Sequence, residues 1–205
     1  MEDNTSTVEK ETKNRSSLAR TILSYLFIFI FTIAVGTLFR VYVVTPTVVS
    51  GSSMYPTLHN DDKIMLNKVT PLIKGYERFD VVVFKHSDTE YYVKRIIGVP
   101  GDTVSYSDDT LYVNNKPYKE NYLNYSKTTL DSNELLTEDF SLDTLYGVHK
   151  VPKGYYFVLG DNRKKSNDSR NSSDVGMIPK SKMVGKAFIR YAPVKNMSII
   201  KHEAQ

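Results

Sequence analysis

The chain has 205 residues, a formal net charge of +4 and no cysteine. Disulfides, thiolate catalysis and cysteine-held metal or iron–sulfur centres are therefore excluded. The length suits one good-sized folded domain with a further segment, and fifteen Tyr and nine Phe among many Val and Ile favour a β-rich body.

Charge is unevenly spread. Residues 103–150 carry eight acidic and four basic side chains, whereas residues 160–205 carry ten basic and four acidic ones. A solvated acidic insertion and an ordinary basic surface account for this; contact of the basic part with anionic lipid headgroups is the sharper reading. An Arg-rich helix, zinc-ligand spacing and an RNA-binding aromatic motif are all missing from the sequence, so no nucleic acid is expected as a partner.

Residues 1–20 form a polar leader of mixed charge, expected to be disordered. Ile22 to Phe39 is an uncharged apolar run bracketed by Arg20 and Arg40. At ~1.5 Å per residue its length is about 27 Å, close to a bilayer core. A transmembrane anchor over 21–42 is the expectation. A cleavable signal peptide has a shorter apolar region, about 7–15 residues, followed by a small-x-small site; here Ala34-Val35-Gly36 lies inside the run. Lys10, Lys13, Arg15 and Arg20 precede the span and Arg40 alone follows it closely. The positive-inside rule then puts the leader in the cytoplasm and the body outside, in a single pass across the cell membrane.

Beyond the anchor, strands are expected in chain order. Val41 to Val49 is rich in Val and Thr, with Pro46 weakening or bending it. Lys63 to Lys68 alternates. Asp80 to Phe84 is an apolar run of strand length, buried on both faces. Tyr91 to Val99 ends at the turn signal Pro100-Gly101-Asp102, and Leu111 to Lys116 enters a hairpin turn. Tyr155 to Leu159 leads into a Gly-Asp-Asn loop, and Met183 to Tyr191 is a last core strand. No other long segment has helical periodicity. The division expected is a core from 43–104 and 151–195, a polar, Tyr-rich insertion over 105–150, and a tail over 196–205.

Three segments carry candidate chemistry. Ser50-Gly51-Ser52-Ser53-Met54-Tyr55-Pro56-Thr57-Leu58 reads as a loop and is not the Gly-x-Ser-x-Gly elbow of α/β-hydrolases. Alternation puts Tyr92, Lys94 and Ile96 on one strand face. If that face is inward, burial lowers the lysine pKa; on an edge strand the same lysine snorkels to solvent. An ordinary lysine titrates near ~10.4, so only about one in 2,500 is neutral at pH 7. Lowering that by ~2–3 units leaves enough free amine to take a proton from a serine hydroxyl. Gly160 to Arg170 is a loop dense in turn formers and charge pairs, in which Ser166 could hold the amine while Asp168 and Arg170 pair. His59, His86, His149 and His202 read as ordinary surface residues without metal-pair spacing. A Ser–His–Asp triad assembles in space and stays open on spacing alone.

Four blocks, together with the apolar run, resemble the type I signal peptidase family over residues 20 to 192: Ser50–Leu58, Arg78–Phe84, Tyr92–Asp102 and Gly160–Arg170. The resemblance implies Ser53 as nucleophile, Lys94 as general base, Ser166 as the residue orienting the amine, and Asp161, Asp168 and Arg170 as supports. It implies a mainly antiparallel β-fold with a small barrel-like core and a β-rich extension. It also implies cleavage of exported preproteins after small residues of the Ala-x-Ala kind at the outer membrane surface, near the export machinery, with no metal or cofactor. Some members place a serine two residues before the nucleophile, where this chain has Gly51. The oxyanion would then rest on backbone N–H groups, Ser53 and Gly51 being the candidates. The short insertion and single anchor resemble the compact form of Gram-positive bacteria. The rival reading is a membrane-anchored, non-catalytic relative that binds export or pilus substrates.

Overall fold

The computed structural model describes residues 18, 20–37, 44–131 and 134–202. The chain divides at Val44 into two units. The leader through residue 17, the far end of the expected anchor and residues 203–205 lie outside the described residues.

In the first unit, helix α1 (Arg20–Thr37) is 18 residues long and fully exposed, by length and composition long and apolar enough to cross a membrane. Two of its polar side chains are internally satisfied: Thr32 Oγ1 donates to the Ile28 carbonyl and Thr37 Oγ1 to that of Ile33, each at 2.8 Å. Neither hydroxyl is thus left unpaired on the exposed helix surface.

The second unit is built on an antiparallel sheet. Its strands are β1 (Val44–Val48), β2 (Lys63–Asn67), β3 (Val81–Lys85), β4 (Tyr91–Gly98), β9 (Tyr155–Leu159), β10 (Ile178–Pro179), β11 (Met183–Ala192) and β12 (Ser198–Ile199), paired in the order β1-β2-β11-β3-β4-β9-β10 with β12 on β11. A smaller sheet joins β5 (Val104–Ser107), β6 (Thr110–Val113), β7 (Lys116–Tyr118) and β8 (Phe140–Ser141) in the order β7-β6-β5-β8. The mainly β expectation holds. The larger sheet runs open, and no pairing among the described residues closes it into a barrel. The helices of this unit are single turns or little more: α2 (Val69–Lys74), α3 (Asn124–Thr128) and α4 (Leu142–Tyr146).

The local chemistry explains these elements. Pro46 is tolerated because β1 is an edge strand with β2 as its one ladder partner. In β3, Val81 and Val83 enter one hydrophobic cluster and Val82 and Phe84 another, so the strand is buried on both faces. Asn114 and Asn115 both take positive φ, 52° and 62°, in the tight turn between β6 and β7, which asparagine accepts more readily than most residues. Helix α4 begins with a capping box in which Ser141 and Thr144 each bond the other's backbone N–H.

Two segments are better ordered than their composition suggests. The smaller sheet shares a core with the larger: Val104, Tyr106, Leu111 and Leu142 pack with Ile97, Phe157 and Leu159. The C-terminal segment pairs with β11, and Ile200 is buried in the cluster holding Val49, Met54 and Leu58. The C-terminal segment shows no period in the sequence, because it is short and its partners are far away in the chain.

Candidate active site

The loop between β1 and β2 carries Ser53. Backbone bonds from Val49 N to Asp62 O (2.8 Å) and from Asp61 N to Val49 O (2.9 Å) close it, and Leu58 N to Met54 O (2.9 Å) makes a helical turn just past the serine. Met54 and Leu58 are buried, so the loop is pinned by its apolar side while Ser53 stays partly exposed. The neighbouring hairpin β3–β4 carries Lys94, whose side chain is 3 % exposed. Its Nζ donates to Ser53 Oγ at 2.7 Å and to the Val93 carbonyl at 3.2 Å. The amine lies 5.0 Å from the centre of the Tyr92 ring, on the same strand face. Burial lowers the Lys94 pKa to about 8, against the opposing pull of Asp168 and Asp161. Of the two readings of Lys94, inward or snorkelling, the structure shows the inward one.

The Gly160–Arg170 loop bonds the serine loop and Arg95, the neighbour of Lys94. Asn162 donates from its backbone N to Ser53 O at 3.0 Å and from Nδ2 to Ser52 O at 3.1 Å. Asp161 is completely buried. It accepts the Thr57 hydroxyl at 2.5 Å and takes a two-pronged bond from Arg95 Nε (2.9 Å) and Nη2 (2.7 Å). Thus one carboxylate ties the serine loop to the residue beside Lys94. Asp168 accepts from Gly160 N at 3.0 Å and pairs with Arg170 through Nε and Nη2, both at 2.9 Å. Burial works against ionisation of Asp168, but the Arg170 pairing outweighs it and holds the carboxyl below its ordinary range. Arg170 also donates to the Arg163 carbonyl at 2.8 Å, closing the loop on itself.

Ser166 lies close to the serine loop but makes no bond to Lys94; its buried hydroxyl meets no partner at full hydrogen-bond geometry, yet stands near enough to Asp168 to favour the ionised carboxyl. It sits over Gly160, where a Cβ would meet Ser166 Oγ at 2.1 Å and the Ser53 carbonyl at 2.4 Å. The backbone clash has no flexible end to yield. Gly160→Ala is therefore expected to lower stability by about 1–3 kcal/mol, read as an earlier chemical unfolding midpoint by tyrosine near-UV circular dichroism.

Gly51 takes φ +89°, and its N–H donates to Asn60 Oδ1 at 2.8 Å. That donor is engaged, whereas no bond from the Ser53 N–H is seen among the described residues. No described histidine bonds Ser53, so a Ser–His–Asp triad does not form. His202 differs from the surface residue expected. Its Nδ1 accepts the Val81 N–H at 3.2 Å. Burial, helped by Lys186 and Arg95, lowers its pKa to about 4, so its 3.7 Å approach to Asp80 is that of a neutral ring.

Sequence reasoning missed Arg95, Thr57, Asn162, Arg163 and Glu120. Arg163, inside the Gly-Asp-Asn-Arg segment, is buried with Glu120 and Tyr106: Nη2 donates to Glu120 Oε1 and Nη1 to the Tyr106 hydroxyl, each at 2.6 Å. The clue was local for Arg95 and Asn162, which adjoin residues already singled out. Glu120 sits in the weakly patterned insertion and gave none.

Beside the pair runs a cleft of about 280 Å³, lined among others by Thr47, Val49, Gly51, Ser53, Tyr92 and Lys94. A partly exposed serine hydroxyl, a buried amine of lowered pKa and an adjoining groove together suit attack on a carbonyl of a bound chain.

Comparison with known proteins agrees. The family model described as signal peptidase, peptidase S26, matches residues 20–192. Signal peptidase I S of Bacillus subtilis is 39 % identical over 88 % of this chain and 95 % of its own length. Signal peptidase I of Bacillus caldolyticus is 43 % identical over 78 % and 85 % respectively. The crystal structure of a signal peptidase I from Enterococcus faecalis superposes with a TM-score of 0.52 at 43 % identity, covering 56 % of this chain and 97 % of that one. The chain therefore belongs to the signal peptidase family, peptidase S26, and is a serine peptidase that removes signal peptides.

Proposed function

We propose that Ser53 is the nucleophile and Lys94 the general base of this peptidase. The observation that carries the assignment is the 2.7 Å contact between Lys94 Nζ and Ser53 Oγ, made by an amine whose burial brings its pKa to about 8. In the neutral amine the bond reverses: Ser53 O–H donates to Nζ. As Oγ attacks the scissile carbonyl, Nζ takes the proton and later returns it to the leaving amine. The Ser53 N–H receives the developing oxyanion. Ser166, whose hydroxyl lies against the serine loop, is assigned to orient the amine. Asp161, Asp168 and Arg170 position the two reacting groups without touching the substrate.

The preprotein binds extended in the cleft, adding a strand to the free edge of β1. The modest cleft favours small side chains before the cut, in the small-x-small pattern. Helix α1 crosses the bilayer once, with the leader cytoplasmic and the body outside, where exported chains emerge from the export machinery. The non-catalytic alternative has no support: the relatives reported are all named as signal peptidases.

The test is cleavage of a labelled preprotein by the detergent-solubilised full chain across pH. A buried amine that must be neutral to act loses activity as pH falls through its folded pKa. The kcat/KM should therefore fall about tenfold per unit below about 8 and level off above it. Ser53→Ala should be inactive throughout. A flat profile from pH 5 to 9 removes Lys94 from the role of base, and a Ser53→Ala variant that still cuts removes the serine.

A further inference from the structure

Nothing in the sequence marks residues 198–202 for a role, yet they reach both halves of the reacting pair. Strand β12 pairs with β11, Ser198 opposite Arg190 and Ile199 opposite Ile189. Ile200 N then donates to the Phe188 carbonyl at 3.0 Å, which turns the Ile200 side chain into the core. There it is 3 % exposed, packed in one cluster with Val49, Met54 and Leu58, the buried side of the Ser53 loop. The next residue serves the other half. The Lys201 carbonyl accepts from Arg95 Nη1 at 2.9 Å, and the Phe79 carbonyl shares that nitrogen at 2.9 Å. With Nη1 held there, Nε and Nη2 are directed onto Asp161, which holds Thr57. Arg190 adds a third tie: Nε donates to the Asn196 carbonyl at 2.6 Å and Nη1 to Asp62 at 2.9 Å, at the end of the same loop.

We propose that the C-terminal segment Ser198–His202 is a positioning element for the Ser–Lys pair, with Ile200 as its wedge. It rests on the assignment of Ser53 and Lys94 above. The segment touches no substrate. Ile200 sets the depth of the serine loop, and the Lys201 carbonyl sets the angle of Arg95 and, through Asp161, the distance between loop and strand. Misplacing a nucleophile by an ångström is enough to cost about 100-fold in rate. A core residue that served stability alone would lower the folded fraction and leave the folded molecules fully active.

The experiment uses the full chain in detergent, as wild type, Ile200→Ala, Ile200→Val, Ser53→Ala and Lys94→Ala. Cleavage is assayed well below each unfolding midpoint, where tyrosine near-UV circular dichroism equals that of wild type. Ile200→Ala should lose about 100-fold in kcat with KM within about threefold of wild type. Its pH limb should move above the wild-type position as water reaches Lys94 and relieves the burial that lowers its pKa. Ile200→Val, which keeps most of the wedge, should stay within about threefold of wild type in kcat. If Ile200→Ala keeps wild-type kcat and limb while Ser53→Ala and Lys94→Ala are dead, the positioning role falls and the pair stands. A kcat loss that only tracks the unfolded fraction, with an unmoved limb, overturns it equally. A Lys94→Ala variant that still cleaves at the wild-type rate overturns the pair, and the role of the tail with it.

Discussion

Lys94→Met is expected to abolish cleavage, by about 10⁴-fold or more, and to make the protein more stable by about 3 kcal/mol at pH 7. The two effects share one cause. The folded protein holds Lys94 at a pKa of about 8, against an ordinary value of 10.5. At pH 7 the side chain is still about nine-tenths protonated in the folded state, so folding takes an ammonium out of water at a cost of about 3 kcal/mol. Methionine has a similar length, no charge and no desolvation cost, and it fills the same space between Ser53 and Tyr92. The pH dependence fixes the origin of the gain. Between about 8 and 10.5 the unfolded chain binds the proton and the folded one does not, so wild-type stability rises with pH over that window. The advantage of Lys94→Met should be full below pH 8 and fade toward 10.5. Chemical unfolding of both proteins at pH 7 and pH 10 measures this; an equal gain at both values, or no gain at either, separates the lysine from any desolvation cost.

Glu120→Ala is expected to destabilise the protein by about 3–5 kcal/mol. Glu120 and Arg163 are buried at 6 % and 2 % exposure, and a guanidinium cannot shed its charge. Without its carboxylate, Arg163 is left charged within the core shared by the two sheets. The Tyr106 and Tyr122 hydroxyls, both hydrogen-bonded to Glu120, lose an acceptor as well. Removing both charges is far milder than removing one, because a buried pair gains little over apolar residues of similar size. Glu120→Leu combined with Arg163→Met should therefore recover most of the loss. Urea unfolding of the single and double variants decides it: a double variant as unstable as the single would mean that shape, not charge, is what Glu120 supplies.

How far the fold can be read from the sequence follows from the range of its contacts. The strands whose hydrophobic pattern is carried by adjacent residues, Val81–Lys85 and Tyr155–Leu159, are visible as short apolar runs. The β6–β7 turn is visible because Asn-Asn names its own conformation. The strand order is not visible, since β11 lies between β2 and β3 and no local pattern records a partner more than a hundred residues away. Ser53 and Lys94 stand out only when four short blocks are taken together. Their contact across 41 positions has no local signature. Arg95 is the sharpest case: a second basic residue beside Lys94 reads as a solvated charge, yet it is fully buried, because Asp161 meets it from a loop 66 residues away.

The insertion of β11 between β2 and β3 also imposes an order in time. A chain emerging from its N-terminal end can form the β1–β2 pair, which carries the serine, and the β3–β4 hairpin, which carries the lysine. No backbone pairing joins these two pieces until residues 183–192 arrive. The clamps from Asp161 and Asn162 come scarcely earlier. Contacts that distant in sequence are slow to form. The serine-bearing and lysine-bearing pieces thus depend on residues 161–192 to be joined, and a chain truncated before them is expected to keep Ser53 and Lys94 apart.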